Sequence, residues 1–143
     1  MSRAAFGAAL ALLSVAPASA QDVKWVSLYA DRDAETLYDP ASLKRVGNRV
    51  TLSLRSVAKG ADWSAIMKME IDCRAQTMAM LSGEEFGAEG KQLRSRIIEP
   101  GKIERMPMFK GEDMEPVYKV ACPKGAPLPG MSGPPIIVSP RTN

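Results

Sequence analysis

Cys73 and Cys122 are the chain's two cysteines, and the chain contains no histidine. The missing imidazole removes the commonest general base, the commonest metal ligand and every Ser/His or Cys/His catalytic pair. A site built on two carboxylates would have to draw on Asp31, Asp33, Glu84, Glu85 and Glu89. All five lie in stretches that read as polar turns, where carboxylates are ordinarily solvated. Gly83, Gly87 and Gly90 form neither a dinucleotide nor a Walker loop. Nine methionines raise the question of thioether copper ligation. Met67, Met69, Met78 and Met80 alternate as strand residues do, which reads as core filling, whereas Met106, Met108 and Met114 are only loosely grouped. Lys91, Arg94 and Arg96 make a mildly basic strand face that reads as solvated. These residues predict no catalytic site, no metal site and no cofactor.

The cysteine pair has a more specific reading. Arg3 gives a positive start, Ala4 to Val15 is free of charge, and Ala18-Ser19-Ala20 is a small-x-small cleavage pattern before Gln21. The uncharged run is shorter than the roughly 20 residues of a spanning helix. Residues 1–20 therefore predict a cleaved export signal and a periplasmic or secreted product. No cysteine follows the cleavage site, so no lipid anchor is expected there. In an oxidising compartment an even pair of cysteines predicts a Cys73–Cys122 disulfide. Closing a loop of about 50 residues lowers the entropy of the unfolded chain by roughly 4 kcal/mol in the chain-entropy account.

Without the signal, 123 residues remain, with 18 basic and 16 acidic side chains. That length suits one domain. A net charge of +2, spread along the chain, gives no footprint for nucleic acid.

The elements expected to carry these residues are mostly short strands. Val23 to Ala30 reads as a first strand, with Trp25 and Tyr29 on its core face. Thr36 to Tyr38 restarts a strand. Asp39-Pro40 reads as the cap and first position of a helical turn reaching Lys44 or Arg45. Val46 to Arg49 reads as a hairpin turn, with Gly47 or Asn48 at positive φ. Arg49 to Val57 alternates cleanly, with Val50, Leu52 and Leu54 inward. Ser64 to Cys73 follows, with Met67, Met69 and Ile71 inward. Thr77 to Ser82 is a strand of undecided facing, because Met78 to Leu81 are all apolar. Gly83 to Gly90 reads as an exposed loop and Lys91 to Glu99 as a strand. Glu112 to Glu115 opens a helix ending near Ala121, with Val117, Val120 and Ala121 inward. Six prolines and three glycines in Pro123 to Asn143 predict a tail without packed structure, in which Ile136-Ile137-Val138 is an apolar patch.

The run Trp25-Val26-Ser27-Leu28, then Thr36-Leu37-Tyr38-Asp39-Pro40-Ala41-Ser42-Leu43 and Gly47-Asn48-Arg49-Val50, resembles the bacterial surface-adhesin E-like proteins. Glu70-Ile71-Asp72-Cys73, the Met78 to Leu81 strand and a closing Val120-Ala121-Cys122 extend the likeness. It covers roughly Trp25 to Cys122. The resemblance implies an α+β domain over residues 21–122: one antiparallel sheet of about five to six strands, with a C-terminal helix packed on it. It also implies the Cys73–Cys122 pairing. Adhesins of this kind bind host matrix proteins and self-associate, so the resemblance implies a protein or envelope component as partner, and a homodimer. The expected function is thus that of an exported, non-catalytic binding protein, with no nucleic acid and no membrane span. The alternative is a periplasmic accessory or inhibitor domain that blocks a cell-envelope enzyme with its Gly83 to Gly90 loop. No binding residue carries over from the family.

Overall fold

The computed structural model describes residues 23–130. The expected export signal and the Ile136 to Val138 patch lie outside the described residues. The strands are β1 (Val26–Ala30), β2 (Ala34–Val46), β3 (Arg49–Ala58), β4 (Ser64–Asp72), β5 (Thr77–Phe86), β6 (Gln92–Ile97) and β7 (Met106–Pro107). One α-helix, α1 (Glu115–Ala121), follows. β1 to β6 lie side by side in chain order as one antiparallel sheet, and the two-residue β7 pairs with β5 beyond the end of β6. The architecture is α+β with a small helix.

β3 and β4 hold the centre because their alternation is strict. Val50, Leu52 and Leu54 face Ile71, Met69 and Met67 across the pair. All of these but Met67 are buried, and Met67 packs on the cluster from its rim. Each fully buried aliphatic side chain contributes roughly 2 kcal/mol of transfer free energy. Gly47 and Asn48 join β2 to β3, with only Gly47 at positive φ, the pattern of a type II′ hairpin turn. At the next turn the Asp72 carboxylate accepts the Arg74 and Ala75 N–H groups at 3.0 and 2.9 Å. The Cys73 N–H donates to the Asn48 carbonyl at 2.8 Å and ties the two turns together.

The helical turn expected over Asp39 to Arg45 is a bulge inside a continuous β2. Asp39 pairs with Ser53 and Lys44 with Thr51, so four residues of β2 oppose Leu52. Asp39 does cap a turn, accepting the Ala41 N–H at 2.9 Å, but the flanking residues stay paired to β3. The Ser42 hydroxyl donates to the Asp39 carbonyl at 2.7 Å and accepts the Ser53 N–H at 2.8 Å. It thereby repairs the ladder across the bulge.

A second correction concerns Gly83 to Gly90. β5 continues through Gly83 to Phe86, and only Gly87 to Lys91 form the turn, closed by the Gly87 N–H donating to Lys91. Leu81 is a bulge residue, since Lys68 pairs with Ser82 and Met69 with Met80. This settles the facing of the apolar run. Met78 and Met80 join the core face, while Ala79 is buried on the other face, opposite Glu70.

On β1 it is Leu28, not the Trp25/Tyr29 face, that packs on the core. A bulge between Ser27 and Tyr29 shifts the alternation there. In α1 the inward residues are Val117, Tyr118 and Ala121, and Val120 is half-buried. Tyr118 and Val117 stand three and four residues before Ala121, so these three share one helix face.

The chain after Cys122 also departs from expectation. Leu128 is buried, the Gln76 amide donates to the Ala126 and Pro127 carbonyls, and the Lys110 N–H donates to Pro129. Residues 123–130 run past the end of α1 and are anchored there by Leu128 and by the Tyr118 bond to Ala126, while the rest of the segment is exposed. They need no regular element, because side chains and loop amides satisfy their carbonyls.

Candidate binding surface

Cys73 and Cys122 form the expected disulfide, with Cα atoms 5.6 Å apart. It joins the end of β4 to the end of α1. Tyr118 lies beside it, and its hydroxyl donates to the Ala126 carbonyl at 2.8 Å, with Cys73 O 3.3 Å away. Arg45 closes the same corner. Its guanidinium donates to the Ala121 carbonyl, one of the acceptors a helix leaves free at its C-terminus.

A hollow of about 540 Å³ opens over this corner, lined by Arg45, Arg74, Lys124 and Asn48 around the disulfide. It is basic, but Arg45 is held by the helix end. Its floor is the disulfide and two turns, which are parts of the scaffold.

The helix touches β1 and β3, and the disulfide fixes it at the Cys73 end of the sheet. Among the described residues, the other end of the same face carries no element. There Ala65, Met67, Met80 and Gly83 form the floor of a trough of about 350 Å³. Trp63 stands at one rim, 38% exposed, and Arg94 and Arg96 at the other. Gly83 keeps the floor low: a Cβ there would meet only the Met80 sulfur, at 3.7 Å. Arg94 lies opposite Glu85 and Arg96 opposite Gly83. Among the described residues neither arginine forms an ion pair.

The opposite face of the sheet is largely polar, and two arginines lie near its acids. Arg105 pairs with Glu70, and Arg49 lies 3.9 Å from Glu70 and 3.8 Å from Asp72. The Asp72 carboxyl is held below its usual range, first by the Ala75 N–H, then by that of Arg74 and by the charges of Arg49 and Arg105.

The five candidate acids do not converge. Asp31 accepts the Asp33 and Ala34 N–H groups at 2.7 and 2.8 Å. These bonds, that of Ala34 above all, lower its pKa. The Asp33 carbonyl accepts the Lys59 N–H. Glu84 and Glu85 are consecutive in β5 and point to opposite faces. Glu89 sits in the turn at a positive φ of 55°. Among the described residues no cluster of three or more His, Cys, Asp or Glu is placed to hold a metal. Met108 is buried, Met114 packs on the core, and Met106 is exposed.

Of these surface residues, Arg94 and Arg96 stand out in the sequence as a basic strand face, whereas Trp63 does not. Trp63 follows a polar loop and precedes the alternation of β4, so periodicity assigns it no face. Its only signal is its type, since aromatic residues are enriched at interfaces.

Comparison of the chain with protein-family models, with curated proteins and with solved structures found no match.

Proposed function

We propose that this chain is an exported, non-catalytic binding protein of the surface-adhesin E-like type, acting in the periplasm or outside the cell. The trough between Trp63 and Arg94/Arg96 would be its contact surface for a protein partner. The observation that carries this reading is the end of the packed sheet face that no described element covers: an apolar floor, an aromatic rim and two arginines that form no ion pair among the described residues although Glu85 lies across from Arg94. Interface cores favour that mixture of aromatic, Met and Arg. The family likeness contributes the expectation of a protein or matrix ligand. For the inhibitor alternative, the free loop reduces to the tight Gly87 to Lys91 turn.

Site-specific photocrosslinking in cells tests the proposal. A benzoylphenylalanine at Trp63 should give a discrete protein adduct, and one at Val46, exposed on the far hairpin, should not. Absence of an adduct at Trp63, or equal adducts at both positions, would overturn the reading.

A further inference from the structure

We propose that the edge strand β6 captures an extended, acidic segment of a partner protein by strand addition. This rests on the reading of the neighbouring trough as a contact surface and names what that surface takes. Among the described residues β6 pairs on one side only, with β5, and all six of its residues are exposed. Its hydrogen-bonding directions follow from one bond. The Ile98 N–H donates to the Leu81 carbonyl at 2.9 Å, so Ile98, Arg96 and Arg94 direct their backbone groups toward β5. Alternation then leaves the N–H and C=O of Ser95 and Ile97 directed outward, with no strand paired to them among the described residues. That is a free template for a further strand.

Side chains define the segment it fits. Arg94 and Arg96 project from the trough face, two residues apart. Leu93 and Ile97 are 54% and 83% exposed. A complementary strand alternates acidic and apolar residues, with its acids over the arginines. Charge also excludes nearer occupants. A second β6 paired antiparallel about Ser95 or Arg96 would set arginine against arginine, which destabilises a cross-strand pair. Residues 131–143 contain Arg141 and no Asp or Glu.

The test uses the full chain and capped six-residue peptides, the length of β6, alternating Glu with Val or Lys with Val. The Glu peptide should bind at least about tenfold more tightly than the Lys peptide and weaken as salt rises. Ser95→Pro removes an outward N–H and none of the β5–β6 bonds, a change that edge strands tolerate. It should reduce binding about tenfold or more while the melting temperature stays within a few degrees. Arg94→Glu with Arg96→Glu should invert the preference toward the Lys peptide.

Equal binding of the two peptides, or no binding of either, overturns the proposal; in the latter case the arginines merely guard the edge. Glu-peptide binding unchanged by Ser95→Pro also overturns it, as does a sulfated oligosaccharide that competes and is itself insensitive to Ser95→Pro. A dimer that Ser95→Pro dissociates would make the occupant a second copy. Adducts at Trp63 that persist in the Ser95→Pro chain would leave the contact surface standing and remove strand addition alone.

Discussion

A Cβ built on Gly125 would lie 2.6 Å from the Tyr118 hydroxyl, 3.0 Å from the Cys122 Cβ and 3.1 Å from the Cys122 carbonyl. Only glycine lets the chain pass this close to the end of α1. The Tyr118 hydroxyl cannot simply retreat, because it is bonded to the Ala126 carbonyl.

Gly125→Ala should therefore cost about 1–3 kcal/mol, as overpacking does. Gly101→Ala, where nothing lies within 4 Å, should be nearly neutral. Urea denaturation of both variants checks the pair. Equal midpoints would mean that residues 123–130 are not held against the helix.

The disulfide closes a loop between positions 49 residues apart. Removing it by Cys73→Ser with Cys122→Ser should cost about 2–5 kcal/mol, the range for small exported domains. Its presence is checked separately by mass. The protein isolated from cells without reductant should take up two alkyl groups only after reduction. Full alkylation without reductant would refute the bond in the native product.

Ser42→Ala removes the acceptor for the Ser53 N–H, which lies in a partly buried part of the β2–β3 ladder. The expected loss is about 1 kcal/mol, within the 1–3 kcal/mol range for a stranded donor. Thermal melts compare it with Ser56→Ala, which lies on β3 outside the bulge. A Ser42→Ala effect no larger than the control's would show that the bulge needs no bridge.

Three carboxyls titrate below their usual range in the fold. Asp31 is lowered by the Ala34 and Asp33 N–H groups, Asp72 by those of Ala75 and Arg74, and Glu115 by the Lys119 ammonium and the Gly111 N–H. A depressed folded pKa means that the unfolded chain binds the proton first as pH falls. The stabilisation is complete above the unfolded carboxylate range and is lost as pH drops through about 4 and below. Urea midpoints should be flat above that range and fall beneath it. Asp72→Asn should flatten the acid limb, and an unchanged limb would remove Asp72 from the account.

The alternation of Val50, Leu52 and Leu54 and of Met69 and Ile71 was readable because a half-buried strand repeats every two residues. The Gly47 hairpin was readable because few residues other than glycine take positive φ cheaply. Where bulges intervene, that period fails. Leu28 replaces Trp25 on the core face after one bulge, and Met80 and Ser82 change partners around another. Pro40 to Leu43 looked like a helix start because Asp39 does cap a turn. Pairing on both sides with β3, a long-range contact, kept the segment in the sheet.

The sequence by itself determined the chemistry available to the chain. It carries no imidazole, one pair of cysteines, scattered acids and a central pair of alternating strands, all of them local or compositional properties. The tertiary structure decided where these residues stand. It placed Glu84 and Glu85 on opposite faces and held the short helix, through Cys73 and Cys122, at one end of the sheet. It thereby left Met67, Met80, Arg94 and Arg96 to line a trough at the other end that no described element covers. No local pattern encodes that gap, because it is set by the length of α1 and the point at which the disulfide fixes it.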